Sequence, residues 1–393
     1  MSNSSKPNIL FLGTHGQYNW GDELLLETFL HNFRPHAHSF YVNTYDRADT
    51  EKLFAHHDIT TFHTTSQRFR LLRHLLQCDI VMFGGGSIVK ELNPDYGGAR
   101  YGTLNTLNLL TKFAASLPGK KIIFSNIGVG PLKTAKGKQL AKRILNRGDL
   151  VSLRDVNSIQ LAQEIGVEVD YEQVPDAVFS LSREYFGLPK NPEQRTISSP
   201  KHLHKIALNL CRNISNNANW DHFVENLITS LSLLLEQKPT LEIIGLPMQY
   251  DVAVNDDARE IEHVFNVLRP AFPRANFVLR KPESTREIVA VLEEVDLVVA
   301  ERLHLLILST VIQKPFVGLE YNTKVTGLLK DLELIAYGLN INEPFGPEDI
   351  YERISKLTKK YTAVTTHQAK QYAKLHEQDL DFYRRVQTFF RKR

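Results

Sequence analysis

The run Asp296-Leu297-Val298-Val299-Ala300 reads as a strand that enters a charged turn, Glu301-Arg302-Leu303-His304, and the apolar stretch from Leu305 to Thr310 reads as a buried helix. In an open parallel α/β sheet, ligands bind beyond the carboxyl ends of the strands. A helix starting there adds backbone N–H donors and the positive end of its dipole, both suited to an anion. Arg302 brings a planar, permanently charged fork that fits carboxylate or phosphate, and His304 the one side chain whose ordinary pKa allows proton transfer near neutral pH. The turn therefore combines anion binding with proton transfer. Arg212 stands at the end of another strand-like run, Leu208-Asn209-Leu210-Cys211. A lone strand-end arginine is commonly an ion-pair or surface residue, but two of them beside a histidine favour anion recognition. Asp176, in Val174-Pro175-Asp176-Ala177, is read equally as a group that orients a partner in the cleft and as a turn carboxylate capping local N–H groups.

Two glycine-rich turns mark places where backbone approaches a ligand. The first, Gly13-Thr14-His15-Gly16-Gln17-Tyr18-Asn19-Trp20-Gly21-Asp22, joins the first strand to a helix starting near Asp22, where an acid suits the dipole. The second, Gly84-Gly85-Gly86-Ser87, ends a strand, and three consecutive glycines cost backbone entropy that a purely structural turn does not need. Neither turn has the G-x-G-x-x-G spacing of a dinucleotide fingerprint or the G-K-[ST] ending of a phosphate-binding P-loop, which weakens dehydrogenase and nucleotidase readings. The many histidines of the first half, from His15 to His74, have no regular metal spacing, and no carboxylate pair for magnesium is evident.

These residues must be held by repeated βα units. Strands are expected at Asn8 to Leu12, Ser39 to Thr44, Asp58 to Phe62, Asp79 to Phe83, Lys121 to Asn126, Leu150 to Leu153 and Val167 to Val174, with helices at Asp22 to Phe33, Leu104 to Ala115, Ala135 to Asn146 and Val156 to Ile165. Periodicity stops between Phe186 and Lys205, a stretch rich in Pro, Ser and charge. A second series follows, with strands at Ile206 to Leu210, Leu241 to Leu246, Asn276 to Leu279, Leu297 to Ala300 and Phe316 to Leu319. The expected organisation is an α/β chain with an N-terminal Rossmann-like domain over 1–185, a linker over 186–205, a second Rossmann-like domain over 206–346 facing the first across a cleft, and helices over 347–393 packing back on the body.

Composition bounds the partners. The 393 residues, 42% of them hydrophobic, suffice for two cores. A net charge of +3 from 47 basic and 44 acidic residues argues against nucleic acid as the main partner. Cys78 and Cys211 are the only cysteines, so neither a disulfide framework nor a cysteine zinc site is indicated, and a reducing, cytoplasmic setting fits. No signal-like N-terminus and no run of about 18 apolar residues is present, which argues against secretion and membrane spanning. The C-terminal run Arg384-Arg385-Val386-Gln387-Thr388-Phe389-Phe390-Arg391-Lys392-Arg393 could touch an anionic membrane surface at the inner face, although a basic helix end also suits its own dipole.

Taken in order, the fragments N-W-G-D-E, F-G-G-G-S, S-N-I-G-V-G-P at Ser125 to Pro131, S-L-R-D from Ser152, V-P-D-A-V-F from Val174, the strand-end Arg212, L-P-M at Leu246 to Met248 with the later Asp257, E-R-L-H and the downstream G-L-E-Y-N-T-K-V give the chain a resemblance to the polysaccharide pyruvyl transferase family. The resemblance covers most of the chain. It implies a GT-B-like fold, a donor substrate, phosphoenolpyruvate, and transfer of its enolpyruvyl unit to sugar hydroxyls as a pyruvate ketal, a scheme that needs no cofactor or metal. It implies donor recognition by Arg212, Arg302 and His304. Lys324, on the loop after the next strand, is read as a further phosphate contact or, equally, as a solvated surface lysine. Asn19, Gly21, Asp22, Gly84, Gly85, Gly86, Ser87 and Glu91 are the acceptor or cleft-lining candidates from loop position. The acceptor is a cell-surface polysaccharide sugar or its precursor, whether lipid-linked, nucleotide-linked or polymeric. Departures from the usual family wording at Trp20, at Lys90-Glu91 and at Tyr321-Asn322-Thr323 leave the acceptor's identity open. Two other readings stand beside this one, a GT-B nucleotide-sugar glycosyltransferase and a non-catalytic glycan-binding relative. The first is weakened because Leu328 stands where the second glutamate of an E-x7-E pattern would follow Glu320.

Overall fold

Short aliphatic runs between polar turns form strands that are buried along most of their length, as parallel sheets covered by helices on both faces require. The computed structural model describes residues 6–94, 99–193, 195–213 and 217–391. They form two compact units, the first made of residues up to Gln17, Asp22–Ser180 and His376 onward, the second of Tyr18–Gly21 and Leu181–Leu375.

Unit 1 carries β1 (Ile9–Leu12), β2 (Phe40–Thr44), β3 (Thr60–His63), β4 (Ile80–Gly84), β5 (Lys121–Ile127), β6 (Leu150–Leu153) and β7 (Tyr171–Gln173), paired in parallel in the order β3-β2-β1-β4-β5-β6-β7. Unit 2 carries β8 (Lys205–Asn209), β9 (Glu242–Gly245), β10 (Asn276–Leu279), β11 (Leu297–Ala300), β12 (Phe316–Glu320) and β13 (Gly338–Asn340), also parallel, in the order β10-β9-β8-β11-β12-β13. In each sheet the strand order reverses beside the first strand, between β1 and β4 and between β8 and β11, and that reversal is where open α/β sheets leave a crevice at the carboxyl edge. The expected last strand of the first series is shorter than Val167 to Val174, since β7 can pair only with the four-residue β6, through Val151↔Tyr171 to Leu153↔Gln173.

Among the described residues the α-helices are α1 (Trp20–Phe33), α2 (Arg47–Leu53), α3 (Arg68–Gln77), α4 (Gly102–Ala115), α5 (Ala135–Leu145), α6 (Val156–Glu164), α7 (Trp220–Gln237), α8 (Asp257–Ala271), α9 (Thr285–Glu294), α10 (Leu303–Val311), α11 (Thr323–Asp331), α12 (Glu348–Lys359) and α13 (Tyr361–Arg391). Residues 186–205, expected to be a linker, lie within unit 2. Phe186 and Ile197 are buried there, the fully buried Arg183 makes a fork to Glu293 at 2.8 and 2.9 Å, and Arg195 binds Asp296. Charge in this aperiodic stretch serves anchoring, which polar composition alone reads as solvation.

The C-terminal end of α13 belongs to unit 1. Tyr383 sits edge-on to Phe33 at 5.0 Å and to Phe29 at 6.3 Å, and Phe390 packs on Phe33 at 5.5 Å. Asp379, fully buried, accepts from the Asn126 side chain at 2.8 Å, and the same amide donates to the Pro175 carbonyl. With Phe390 buried and the Lys121 ammonium over the Phe389 ring, the aromatics expected at a membrane face the protein; Lys392 and Arg393 lie outside the described residues. Among the described residues no helix is long and apolar enough to cross a membrane.

The turn after β1 is held by buried polar groups. Glu23 reaches back from α1 to accept the Gly16 N–H at 2.7 Å, while its other oxygen has no hydrogen-bond partner among the described residues. Burial pushes its carboxyl up to about 8, against the opposing hydrogen bond from Gly16. Burial likewise lowers His15 to about 4, leaving that imidazole neutral at physiological pH. Glu23 is therefore protonated in the fold up to about pH 8 but ionised in the unfolded chain above about pH 4.5, so its burial costs nothing at acid pH and increasingly more as pH rises between those values. Melting temperatures of wild type and Glu23→Gln measured from pH 4 to 9 are expected to diverge in favour of the variant through that window, by at most about 1.4 kcal/mol per pH unit, and to run parallel above it.

Candidate active site

In unit 2, β8, β11 and β12 are adjacent and parallel, so the segments leaving them emerge on one edge of the sheet. Those segments carry Arg212, Arg302 with His304, and Lys324. The first two leave strands that flank the reversal point. Topology thus gathers on one sheet edge the four residues that the sequence singles out for the donor.

The Glu301-Arg302-Leu303-His304 turn is fixed by its side chains. Glu301, fully buried, accepts the Cys211 N–H at 3.1 Å and so ties the turn after β11 to the residue preceding Arg212. Arg302 does not present an open fork. Its Nε reaches both oxygens of Asp257 at 3.2 and 3.0 Å, and its Nη2 reaches Asp257 Oδ1 at 2.7 Å and Gln249 Oε1 at 2.9 Å. Asp257, at the start of α8 with 0% exposure, also accepts from the Met248 N–H and the Asn209 amide. Asn209 in turn accepts the Arg302 N–H at 3.0 Å. Burial opposes the guanidinium charge, but the Asp257 carboxylate outweighs it and holds Arg302 protonated above the ordinary arginine range. No described residue accepts from Nη1, the one guanidinium nitrogen outside this network. Asp257 and Asn209 were legible only as family fragments or strand residues; their role comes from long-range pairing.

His304 lies in the first turn of α10, which no side chain caps. Its ring is pressed against Gly21: a Cβ at position 21 would lie 2.2 Å from His304 Nδ1. The segment Asn19–Gly21 is itself stitched to the loop after β9, with Trp20 N–H on the Met248 carbonyl at 2.9 Å and Asn19 bridged to Gln249. Asn19 accepts the Gly21 N–H at 3.0 Å. Asn19 and Gly21, expected in the first domain, thus belong to the His304 side. Arg212 places its guanidinium 5.9 Å from the Trp220 ring centre, and Lys324 sits in the first turn of α11, whose N-terminus Asn322 caps by accepting the Lys324 and Val325 N–H groups. Cys211 beside them is inert, since burial pushes its thiol up to about 12.

Unit 1 has its own polar cluster at its reversal point. Gly85 and Gly86 adopt φ of +65° and +66°, which glycine alone takes at low cost, and a Cβ on Gly86 would approach Asp22 to 3.8 Å. The Arg154 guanidinium, 6% exposed, binds Asp176 at 2.9 Å and Ser87 Oγ at 3.2 Å. Burial lowers Lys90, with Asp22 opposing. Arg154 and Lys90 are thus the cations of this cluster that spacing did not single out, and Asp176 is an ion-pair partner rather than only a turn cap. Glu91 is elsewhere: it is buried and accepts both the N–H and the hydroxyl of Thr134 at 2.8 Å, a cap on the start of α5. It lines no open surface, since its carboxylate is turned inward onto Thr134.

Solved structures similar to this fold include the S. aureus MnaA–UDP co-structure (TM-score 0.56, 10% identity, 93% of this chain and 91% of that one) and UDP-GlcNAc 2-epimerase from Neisseria meningitidis bound to UDP-GlcNAc (TM-score 0.53, 11% identity, 93% and 94%). A putative UDP-N-acetylglucosamine 2-epimerase from Listeria monocytogenes is similar to the same degree, with a TM-score of 0.55 at 11% identity over 94% of this chain and 91% of that one. At such identities the likeness is one of fold, a GT-B-like pair of parallel-sheet domains. No curated protein matches the sequence. A family model, however, described as polysaccharide pyruvyl transferase, matches residues 19–323. That span runs from the Asn19 loop against His304 to the helix start beside Lys324, and the chain belongs to the polysaccharide pyruvyl transferase family.

Proposed function

We propose that this transferase moves the enolpyruvyl unit of phosphoenolpyruvate onto a sugar of a cell-surface polysaccharide or its precursor, such as an exopolysaccharide, and releases phosphate. The observation that carries the reading is the convergence of Arg212, His304 and Lys324 on one edge of the unit 2 sheet, at and beside the strand-order reversal. Phosphoenolpyruvate has a carboxylate and a phosphate and needs at least two cationic contacts. Arg212 and Lys324 supply them, with the uncapped N–H groups of α10. Arg302 acts chiefly by setting the turn that carries His304, since Asp257 already neutralises most of its fork.

In the first half-reaction one sugar hydroxyl oxygen bonds to C2 of the donor, the C2–C3 π pair takes a proton at C3, and the hydroxyl proton is lost. His304 is the proton donor. In the second, another hydroxyl oxygen of the same sugar bonds to C2 and gives up its proton as the C2–O bond to phosphate breaks, so that phosphate leaves with its electron pair and the ketal closes. No metal or cofactor enters this scheme. Two buried free cysteines and a phosphoenolpyruvate donor suit a cytoplasmic setting.

Calorimetry is expected to show saturable phosphoenolpyruvate binding, weakened in Arg212→Ala and Lys324→Ala, while His304→Gln keeps binding and loses turnover by about 10²- to 10⁴-fold. Clear UDP binding without phosphoenolpyruvate binding would put the glycosyltransferase reading first, and donor binding without turnover on any sugar would favour the non-catalytic one. A methyl at position 21 collides with the His304 ring. Gly21→Ala should therefore lower kcat more than it raises KM for the donor, as steady-state kinetics would show. Removing one partner of a buried ion pair strands the other, so urea unfolding should find Arg302→Ala destabilised by about 3–5 kcal/mol, whereas an open, ligand-facing arginine would leave stability within about 0.5 kcal/mol.

A further inference from the structure

Helix α3, Arg68–Gln77, carries one broad apolar arc, part of it turned into the core and part of it left exposed. Its inner side is ordinary: Leu71 and Leu75 pack into the unit 1 core, and His74 stacks on Tyr41 at 4.1 Å. Its outer side is not, because Phe69 is 90% exposed, Leu76 54% and Leu72 43%. At 3.6 residues per turn Phe69, Leu72 and Leu76 form one stripe along the helix, with Arg73 on its border and Arg68 and Arg70 on its two flanks. All three arginines are exposed, and α3 contains no acidic residue. Lys120 adds a further positive charge at the helix end, where its ammonium meets the carbonyls of Leu76 and Cys78. Glu51, the acid whose carboxylate feels Arg70, is already held by Arg47 and Thr61.

We propose that α3 is a membrane-docking face, which seats Phe69, Leu72 and Leu76 in the interface of a bilayer containing anionic phospholipid while Arg68, Arg70 and Arg73 engage the headgroups. A stripe of apolar residues flanked by arginines is the pattern of a helix lying in the plane of a membrane interface. Charge decides against self-association, since a second copy would bring three more arginines against these. The stripe is also short, about 10 Å along one helix, against the roughly 800 Å² per partner of a stable protein interface. This surface is distinct from the C-terminal run, whose aromatics are directed into unit 1.

The test is flotation of the full-length protein with mixed phosphatidylglycerol–phosphatidylcholine vesicles and with phosphatidylcholine vesicles alone, at low and high salt. The expected result is saturable binding to the anionic vesicles that weakens with salt and is lost by about tenfold or more in Arg70→Glu/Arg73→Glu and in Phe69→Ser/Leu76→Ser, with unchanged melting temperatures. Absence of wild-type binding, equal binding to both vesicle types, or full binding by both variants would overturn the proposal. So would a concentration-dependent dimer that Phe69→Ser abolishes, which would assign the face to a second copy. Binding is read without substrate, so failure here leaves the proposed activity untouched, and failure of that activity leaves this reading intact.

Discussion

The buried pair between Arg302 and Asp257 is the constraint on which the unit 2 edge depends. Asp257 is inaccessible to water and collects the guanidinium, the Met248 N–H and the Asn209 amide on one carboxylate. An isolated charge there would be costly, and the bidentate geometry together with the neighbouring amide donors is what makes it tolerable. Through this pair the turn after β11 is locked to the start of α8 and to the loop after β9. Through Gln249, which bonds Arg302 and bridges Asn19, the same pair reaches the segment that packs Gly21 against His304. The histidine's place is therefore set from three elements remote in sequence.

Each sheet concentrates charge where its strand order reverses, but with different results. In unit 2 the buried acid pairs with Arg302, while Arg212 and Lys324 stand after the neighbouring strands β8 and β12. In unit 1, Arg154 is paired with Asp176, and the Lys90 ammonium is favoured by Asp22 and opposed by Arg154. Asn126, in a left-handed conformation at φ 51°, ties the end of β5 to the Pro175 carbonyl that precedes Asp176 and to Asp379 of α13. The C-terminal helix thus contributes to the same polar edge it covers, which explains why a carboxyl there can be fully buried.

Periodicity was enough for the architecture, because parallel strands buried on both faces must be continuous apolar runs and the runs were found at most strands within a residue or two. It failed where length or pairing decides: β13 is three residues long, β7 is limited by its partner, and α3 is a short helix whose leucines are interspersed with arginines. Residue type and strand-end position nominated Arg212, Arg302 and His304, which the sheet brings to one edge. They could not reveal that the fork of Arg302 meets a carboxylate 45 residues away. Nor could loop position separate Asn19 and Gly21, which pack beside His304, from Glu91, which is turned inward to cap α5.

Nuclear magnetic resonance of the full-length protein with phosphoenolpyruvate and sugar acceptors in heavy water tests the central claim most directly. Enolpyruvyl transfer with protonation at C3 predicts release of inorganic phosphate in step with a new ketal whose methyl group carries one solvent deuterium. Persistence of phosphoenolpyruvate with every acceptor, while a UDP-sugar donor is consumed in its place, would contradict it.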